Sequence, residues 1–143
     1  MTTEKGEQLR QQLIAAVVKK RAANARAHEI VVRLLEPGIP EPEFLSLLWE
    51  IGPPNYSDIV DEREINKLCG YPLCSNPLEN IPKQKYSISA SKNKVYDLTE
   101  RKKFCSGYCF KASEYIKSQV PTSPLWLRDR ETRPNFILLP RGT

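Results

Sequence analysis

Four cysteines fall in two pairs, Cys69-x4-Cys74 and Cys105-x3-Cys109, with 30 residues between the pairs. Any fold for this chain has to account for them. The opening stretch, MTTEKGEQLRQQ, is polar and lacks the apolar core of a secretory signal, so the chain is expected in a reducing compartment. There, clustered cysteines serve as metal ligands more often than as disulfides. Zinc takes four ligands in a tetrahedron, and two pairs from distant segments are a common way to supply them. The expectation is one structural zinc ion held by Cys69, Cys74, Cys105 and Cys109; free buried thiols or a disulfide pair are the competing reading. Four sulfurs leave no open position for water or substrate, so such a zinc is structural rather than catalytic. The one histidine, His28, lies far away in the first helical segment and reads as a helix-surface or packing residue.

A chain of 143 residues, 40% hydrophobic, can bury one core of ordinary size. With a mean hydropathy of −0.50 and no run near the roughly 18 apolar residues a membrane span needs, no membrane partner is expected. The net charge of +5 points to an acidic partner.

Helical spacing of Leu9, Leu13, Val17, Ala27, Ile30, Val31 and Leu34 predicts one long helix over about residues 4–36. Its first half has a thin apolar stripe and a basic run, Lys19-Lys20-Arg21. That half is expected to project or to meet a partner, the alternative being a solvated amphipathic helix. EPGIPEP (36–42) ends the helix. A short helix with Phe44, Leu45, Leu47, Leu48 and Trp49 follows, stopped by Gly52-Pro53-Pro54. Ser57 is the expected N-cap of a third helix running to Leu68, with Ile59, Ile65 and Leu68 facing inward. Residues 84–90 and 94–98 alternate apolar and polar around Lys92-Asn93 and predict a β-hairpin. A last helix is predicted over about 106–119, so that Cys105 and Cys109 straddle its start. From Pro121 the chain is rich in Pro and Arg; Leu125, Trp126, Leu127 and Phe136 are expected to dock as extended segments.

The fold class expected from this order is α+β and mostly helical. A treble-clef-like zinc finger (knuckle, β-hairpin, helix) would pack with the helical N-terminal region. The division is 1–55 helical, 56–120 zinc-finger core and 121–143 C-terminal segment, forming one folded unit.

VDEREINKLCGYPLC, IPKQKYSIS, NKVYDLTERKKFCSGYCFKAS and PLWLRDRE together closely resemble the RNA polymerase II-associated protein 2 family, whose fungal members are regulators of transcription. The resemblance runs from about Tyr56 to Arg130. It implies that Cys69, Cys74, Cys105 and Cys109 are the zinc ligands. It also implies a phosphatase acting on the phosphorylated C-terminal domain of RNA polymerase II, chiefly on the fifth-position phosphoserine of the heptad. Binding to the polymerase, association with regulators that read the same domain, and shuttling between nucleus and cytoplasm come with it. Animal relatives usually carry a long C-terminal extension, which makes this chain read as part of a longer protein.

The residues themselves show no familiar phosphatase mechanism. A thiol phosphatase needs Arg six residues after its Cys; those positions hold Ser75, Asn80, Lys111 and Tyr115. Asp129-Arg-Glu-Thr132 has the wrong third residue for an aspartyl phosphatase, and one histidine cannot build a two-metal site. What remains is a set of charged and tyrosine residues around the cysteines. Arg63 and Arg101 could clamp a phosphoryl group as planar forks. Glu62 or Asp97 could activate water, and Tyr86 and Tyr96 could orient substrate. The same set equally describes a phosphopeptide pocket or an ordinary salt-bridge network. Residues 81–111 hold eight basic side chains against Asp97 and Glu100. Lys83, Lys85, Lys102 and Lys103, with Lys67, are therefore the candidate anion-binding residues. Nucleic acid ranks below a phosphopeptide as the anion bound. The competing function is a non-catalytic zinc adaptor for polymerase assembly, import or recognition of its phosphorylated domain.

Overall fold

The computed structural model of the chain describes residues 4–78, 86–89, 94–97 and 99–140, with backbone alone for 86–89 and 94–97. Four α-helices and one hairpin make a mostly helical fold: α1 (Glu4–Leu34), α2 (Glu41–Leu47), α3 (Pro53–Ile65), β1 (Tyr86–Ser89), β2 (Lys94–Asp97) and α4 (Gly107–Gln119). Short 3-10 turns occupy Leu48–Glu50, Arg101–Lys103 and Leu125–Arg130. The strands pair antiparallel, Tyr86 opposite Asp97 and Ser89 opposite Lys94. The predicted hairpin ends and its Lys92-Asn93 turn lie outside the described residues.

One core runs through the molecule. Ala27, Ile30 and Leu34 recur at helical spacing and bury the second half of α1 against α3 and the 125–130 turn. Phe44, Leu48 and Ile51 fill the space below, and Ile59 and Ile116 carry the core onto α3 and α4. Inside it, the Tyr56 hydroxyl meets Ser113 Oγ at 2.8 Å and ties α3 to α4. Burial raises the Tyr56 pKa, keeping the phenol neutral.

Three expectations about the elements change. α3 begins at Pro53, four residues before the expected Ser57 cap. The two prolines occupy its first turn, where no N–H donor is required and a fixed φ suits the helix. Extended Gly52 precedes them, donating its N–H to Asn55 Oδ1 at 2.9 Å. Tyr56, Ile59, Val60 and Arg63, spaced i, i+3, i+4 and i+7, form the buried face of α3, so Ile65, expected inside, falls off that face and is 68% exposed while Arg63 is buried. The 125–130 segment is a 3-10 turn rather than extended. Arg128 explains it, donating to the carbonyls of Trp49, Ile51, Pro121 and Ser123 and so drawing the chain into a tight curve. Phe136 does dock in the core. Its segment is held by Gln119, whose side-chain amide donates to the Ile137 carbonyl and accepts the Ile137 N–H.

Candidate metal centre

The first cysteine pair sits on a loop that folds back on itself after α3. The helix ends with Lys67 in the left-handed region, φ 58°. Leu68 N–H donates to Arg63 O and Lys67 N–H to Glu64 O, the double closure usually built around glycine. Leu68 then pairs with Pro77. Cys69 N–H donates to Asn76 O at 2.9 Å and Leu78 N–H to Lys67 O at 2.8 Å, forming a knuckle that carries Cys69 and Cys74. The second pair straddles the start of α4, as expected. Ser106 caps the helix by accepting the Cys109 N–H at 3.2 Å, which puts the Cys105 and Cys109 sulfurs on one side, 3.7 Å apart.

The two segments meet because Gly70 has no side chain. Its N–H donates to Lys103 O at 2.7 Å. A Cβ there would lie 2.9 Å from Val60 Cγ1 and 3.0 Å from both Lys103 O and Phe104 Cε1. Replacing Gly70 with Ala is accordingly expected to cost about 1–3 kcal/mol, since backbone must move to make room. Thermal unfolding of the metal-loaded variant checks it, and an unchanged midpoint would refute the close-approach argument.

All four sulfurs lie within 4.8 Å of one another. Cys74 and Cys105 are 3.6 Å apart. A tetrahedral ion bonded to sulfur at about 2.3 Å places its ligands about 3.8 Å apart, so the donor set fits a metal ion in both spacing and chemistry. Cys69, Cys74 and Cys109 are buried and Cys105 half-buried. Hydrogen bonding from the Cys69 thiol holds Cys109 down to about 5, while the same contact and burial push Cys69 up. Burial pushes Cys74 up to about 11. Cys105 N–H donates to Cys69 Sγ at 3.3 Å, and Asn76 Nδ2 to Cys105 Sγ at 3.5 Å. Such N–H···S bonds orient thiolate ligands and disperse their charge.

Arg63 is placed differently from its expected role. It is fully buried beneath the knuckle, and its five N–H donors all point at carbonyls. Nε donates to Cys69 O, Nη2 to Tyr71 O and Cys74 O, and Nη1 to Leu34 O and Glu36 O. No donor of this fork is left to clamp a phosphoryl group. Among the described residues no carboxylate pairs with Arg63. Burial lowers its pKa, and the nearby Cys69 and Cys74 sulfurs oppose that shift. Four thiolates around a divalent ion would carry formal charge −2, and Arg63, bonded to the Cys69 and Cys74 carbonyls, would help offset it.

The other predicted site residues are scattered. Lys103 is engaged: Nζ meets Asp61 Oδ1 at 2.6 Å and Glu100 Oε1 at 2.9 Å. Hydrogen bonds to both carboxylates raise its pKa although burial opposes them. Arg101 is half-buried, donating to Phe104 O at 3.0 Å, and Lys102 beside it is half-buried. Glu62 and Lys67 are exposed on and after α3. The expectations for the side chains of Tyr86, Tyr96 and Asp97, and for Lys83 and Lys85, lie outside the described residues. His28 is exposed on α1 and forms no part of the centre.

Sequence reasoning passed over Gly70, Asn76, Ser106 and Tyr71. Tyr71 packs edge-on between Phe44 and Tyr108, with ring centroids 6.5 Å apart on each side, joining α2, the knuckle and α4. A cleft of about 420 Å³ opens there beside Cys74, lined by Glu41, Tyr71, Leu73, Tyr108 and Leu139. The Gly after Cys69 and the Ser after Cys105 were the legible signals; the aromatic stack had none.

Residues 50–121 match the model of the Rtr1/RPAP2 family. The chain is similar to a Drosophila melanogaster protein described as an RPAP2 homolog, 94% identical over all 143 residues of both. It is 50% identical over 131 residues to the Rattus norvegicus RNA polymerase II subunit B1 CTD phosphatase Rpap2, covering 92% of this chain but 22% of the rat protein. The crystal structure of the transcription regulator protein Rtr1 from Kluyveromyces lactis superposes with a TM-score of 0.63 over 84% of both chains at 20% identity, a likeness of fold.

Proposed function

We propose that this chain, which belongs to the Rtr1/RPAP2 family, is a zinc-stabilised regulator of RNA polymerase II that removes phosphate from its C-terminal domain, the fifth-position serine of the heptad being the target. One observation carries the proposal. The span shared with the family, 50–121, contains all four cysteines, Arg63 behind them and Gly70 between them, and the rat relative with that span is named as a phosphatase of that domain.

In this proposal zinc occupies the four-sulfur centre, and knuckle, hairpin and α4 form a treble-clef-like finger. Its part is to fix the two cysteine-bearing segments. With every ligand position taken by sulfur, the chemistry falls to groups outside the centre: Arg101, Glu62 and the hairpin residues Tyr86, Tyr96 and Asp97, or Glu41 in the cleft beside Cys74. Lys102, with Lys83 and Lys85 from the basic 81–111 stretch, supplies the basic approach for a phosphorylated peptide. The chain acts as one unit of helical region, finger core and C-terminal segment. It works in nucleus and cytoplasm, alongside other regulators that bind the same domain.

The internal engagement of Arg63 and Lys103 favours a second reading, a zinc adaptor that binds the polymerase without turnover. Phosphate release from a heptad peptide phosphorylated on the fifth-position serine separates the two. With metal content verified, Arg101→Ala, Glu62→Gln or Glu41→Gln is expected to lower turnover at least a hundredfold without shifting the unfolding midpoint, the loss typical of a missing acid–base or phosphate-orienting group. Turnover unchanged in all three would clear these residues of the chemistry, and no phosphate release by the unaltered, metal-loaded chain, with polymerase binding retained, would reject catalysis and leave the adaptor.

A further inference from the structure

Every residue from 4 to 18 of α1 is exposed. At 1.5 Å per residue this stretch reaches about 22 Å beyond the part of α1 that packs. Leu9, Leu13, Ile14, Val17 and Val18 are 47–60% exposed and, at 100° per residue, occupy one half of the helix. An apolar face left this open marks an interaction site. The spacing i, i+4, i+5, i+8, i+9 is that of a helix laid into a groove.

Charge narrows the partner. Residues 4–26 hold six basic and two acidic side chains. Lys19 and Arg26 are neutralised within the chain by Asp129 and Glu50. Lys5, Arg10 and Arg21 form no ion pair among the described residues, and Lys20 lies 4.6 Å above the Trp126 ring. A groove of about 380 Å³ between α1 and the 125–130 turn, walled by Trp49 and Trp126, takes Lys19, Ala22, Ala23 and Arg26 from the other side of the helix, so the apolar face is separate from it. We infer that the projecting half of α1 docks by this face into an apolar channel rimmed by acidic residues on RNA polymerase II. The polymerase as owner of the channel rests on the function proposed above. A second copy would set the same cations against each other. Helices that lie on membranes place Trp or Phe on the apolar face, and no aromatic residue precedes Phe44.

Binding of the full chain to purified polymerase II tests the inference. Leu13→Ala with Val17→Ala removes two anchors while keeping good helix formers. It is expected to weaken binding at least tenfold with unchanged helix content and unfolding midpoint. Arg10→Glu with Arg21→Glu is expected to weaken binding similarly and to flatten its salt dependence. A photo-crosslinker at position 14 should reach an acidic-rimmed apolar surface. Wild-type affinity in both double variants overturns the docking element and leaves polymerase binding intact. If the unaltered chain itself fails to bind polymerase, the proposed function falls and this inference with it. Binding to phosphatidylserine vesicles, or self-association in ultracentrifugation, that is lost in the Leu13/Val17 variant would assign the face to a membrane or a second copy and overturn it as well.

Discussion

A chelator strong enough to strip the metal from the loaded protein is expected to collapse the knuckle and unfold the centre of the domain. Structural zinc contributes about 10–16 kcal/mol of apparent binding free energy to the folded state at neutral pH, comparable with the roughly 5–15 kcal/mol that holds an entire domain together. The geometry points the same way. Four sulfurs within 4.8 Å have no covalent link between them. The knuckle has few backbone hydrogen bonds of its own, and the buried Arg63 cation would face a centre that had lost its negative charge. Loss of near-ultraviolet ellipticity and a lowered unfolding midpoint after chelation, restored by one equivalent of zinc, is the expected result. A chelated protein that keeps its full midpoint would remove the metal from the stabilising interactions.

The second large effect belongs to Arg63. Arg63→Met removes a buried fork that satisfies five carbonyls. Buried acceptors left unbonded cost about 1–3 kcal/mol each, partly recovered by relaxation, so the expected loss is about 3–5 kcal/mol. Arg63→Lys should fall between wild type and Met, because an ammonium has three donors and none of the planar geometry. Metal affinity should drop in the same order, about 10–100-fold for the loss of an outer partner. Urea unfolding and competition with a chromophoric chelator measure the two effects. If Arg63→Met instead left stability and metal affinity intact while abolishing phosphate release, Arg63 would be a phosphate clamp after all.

The contrast between these two sites shows what the chain made legible. The cysteine pairs were visible because ligand spacing is local: a helix start fixes Cys105 against Cys109, and a tight loop fixes Cys69 against Cys74. The long helix and its projecting half were visible because an apolar stripe is periodic. Arg63 was misplaced for the opposite reason. A charged residue in VDEREINK is by default on the surface. Arg63 follows Tyr56 and Ile59 on the buried face of α3, but the carbonyls of Leu34, Cys69 and Cys74 that make its burial tolerable come from other segments, which no local pattern reports. Lys103 likewise met its carboxylates, Asp61 from α3 and Glu100 from its own turn, only once the knuckle was closed.

Arg63 also bears on how such a finger can be reused. Its fork spans from the carbonyls at the end of α1 to those flanking both cysteines of the first pair. A graft of residues 66–120 onto another scaffold would carry the ligands but leave behind the cation that neutralises them and the carbonyls that orient it. The transplanted knuckle would have to find both in its new host. Swapping fingers between proteins of this architecture therefore requires moving α3 and the end of α1 as well, and chimaeras cut between Ile65 and Cys69 are the ones expected to fail.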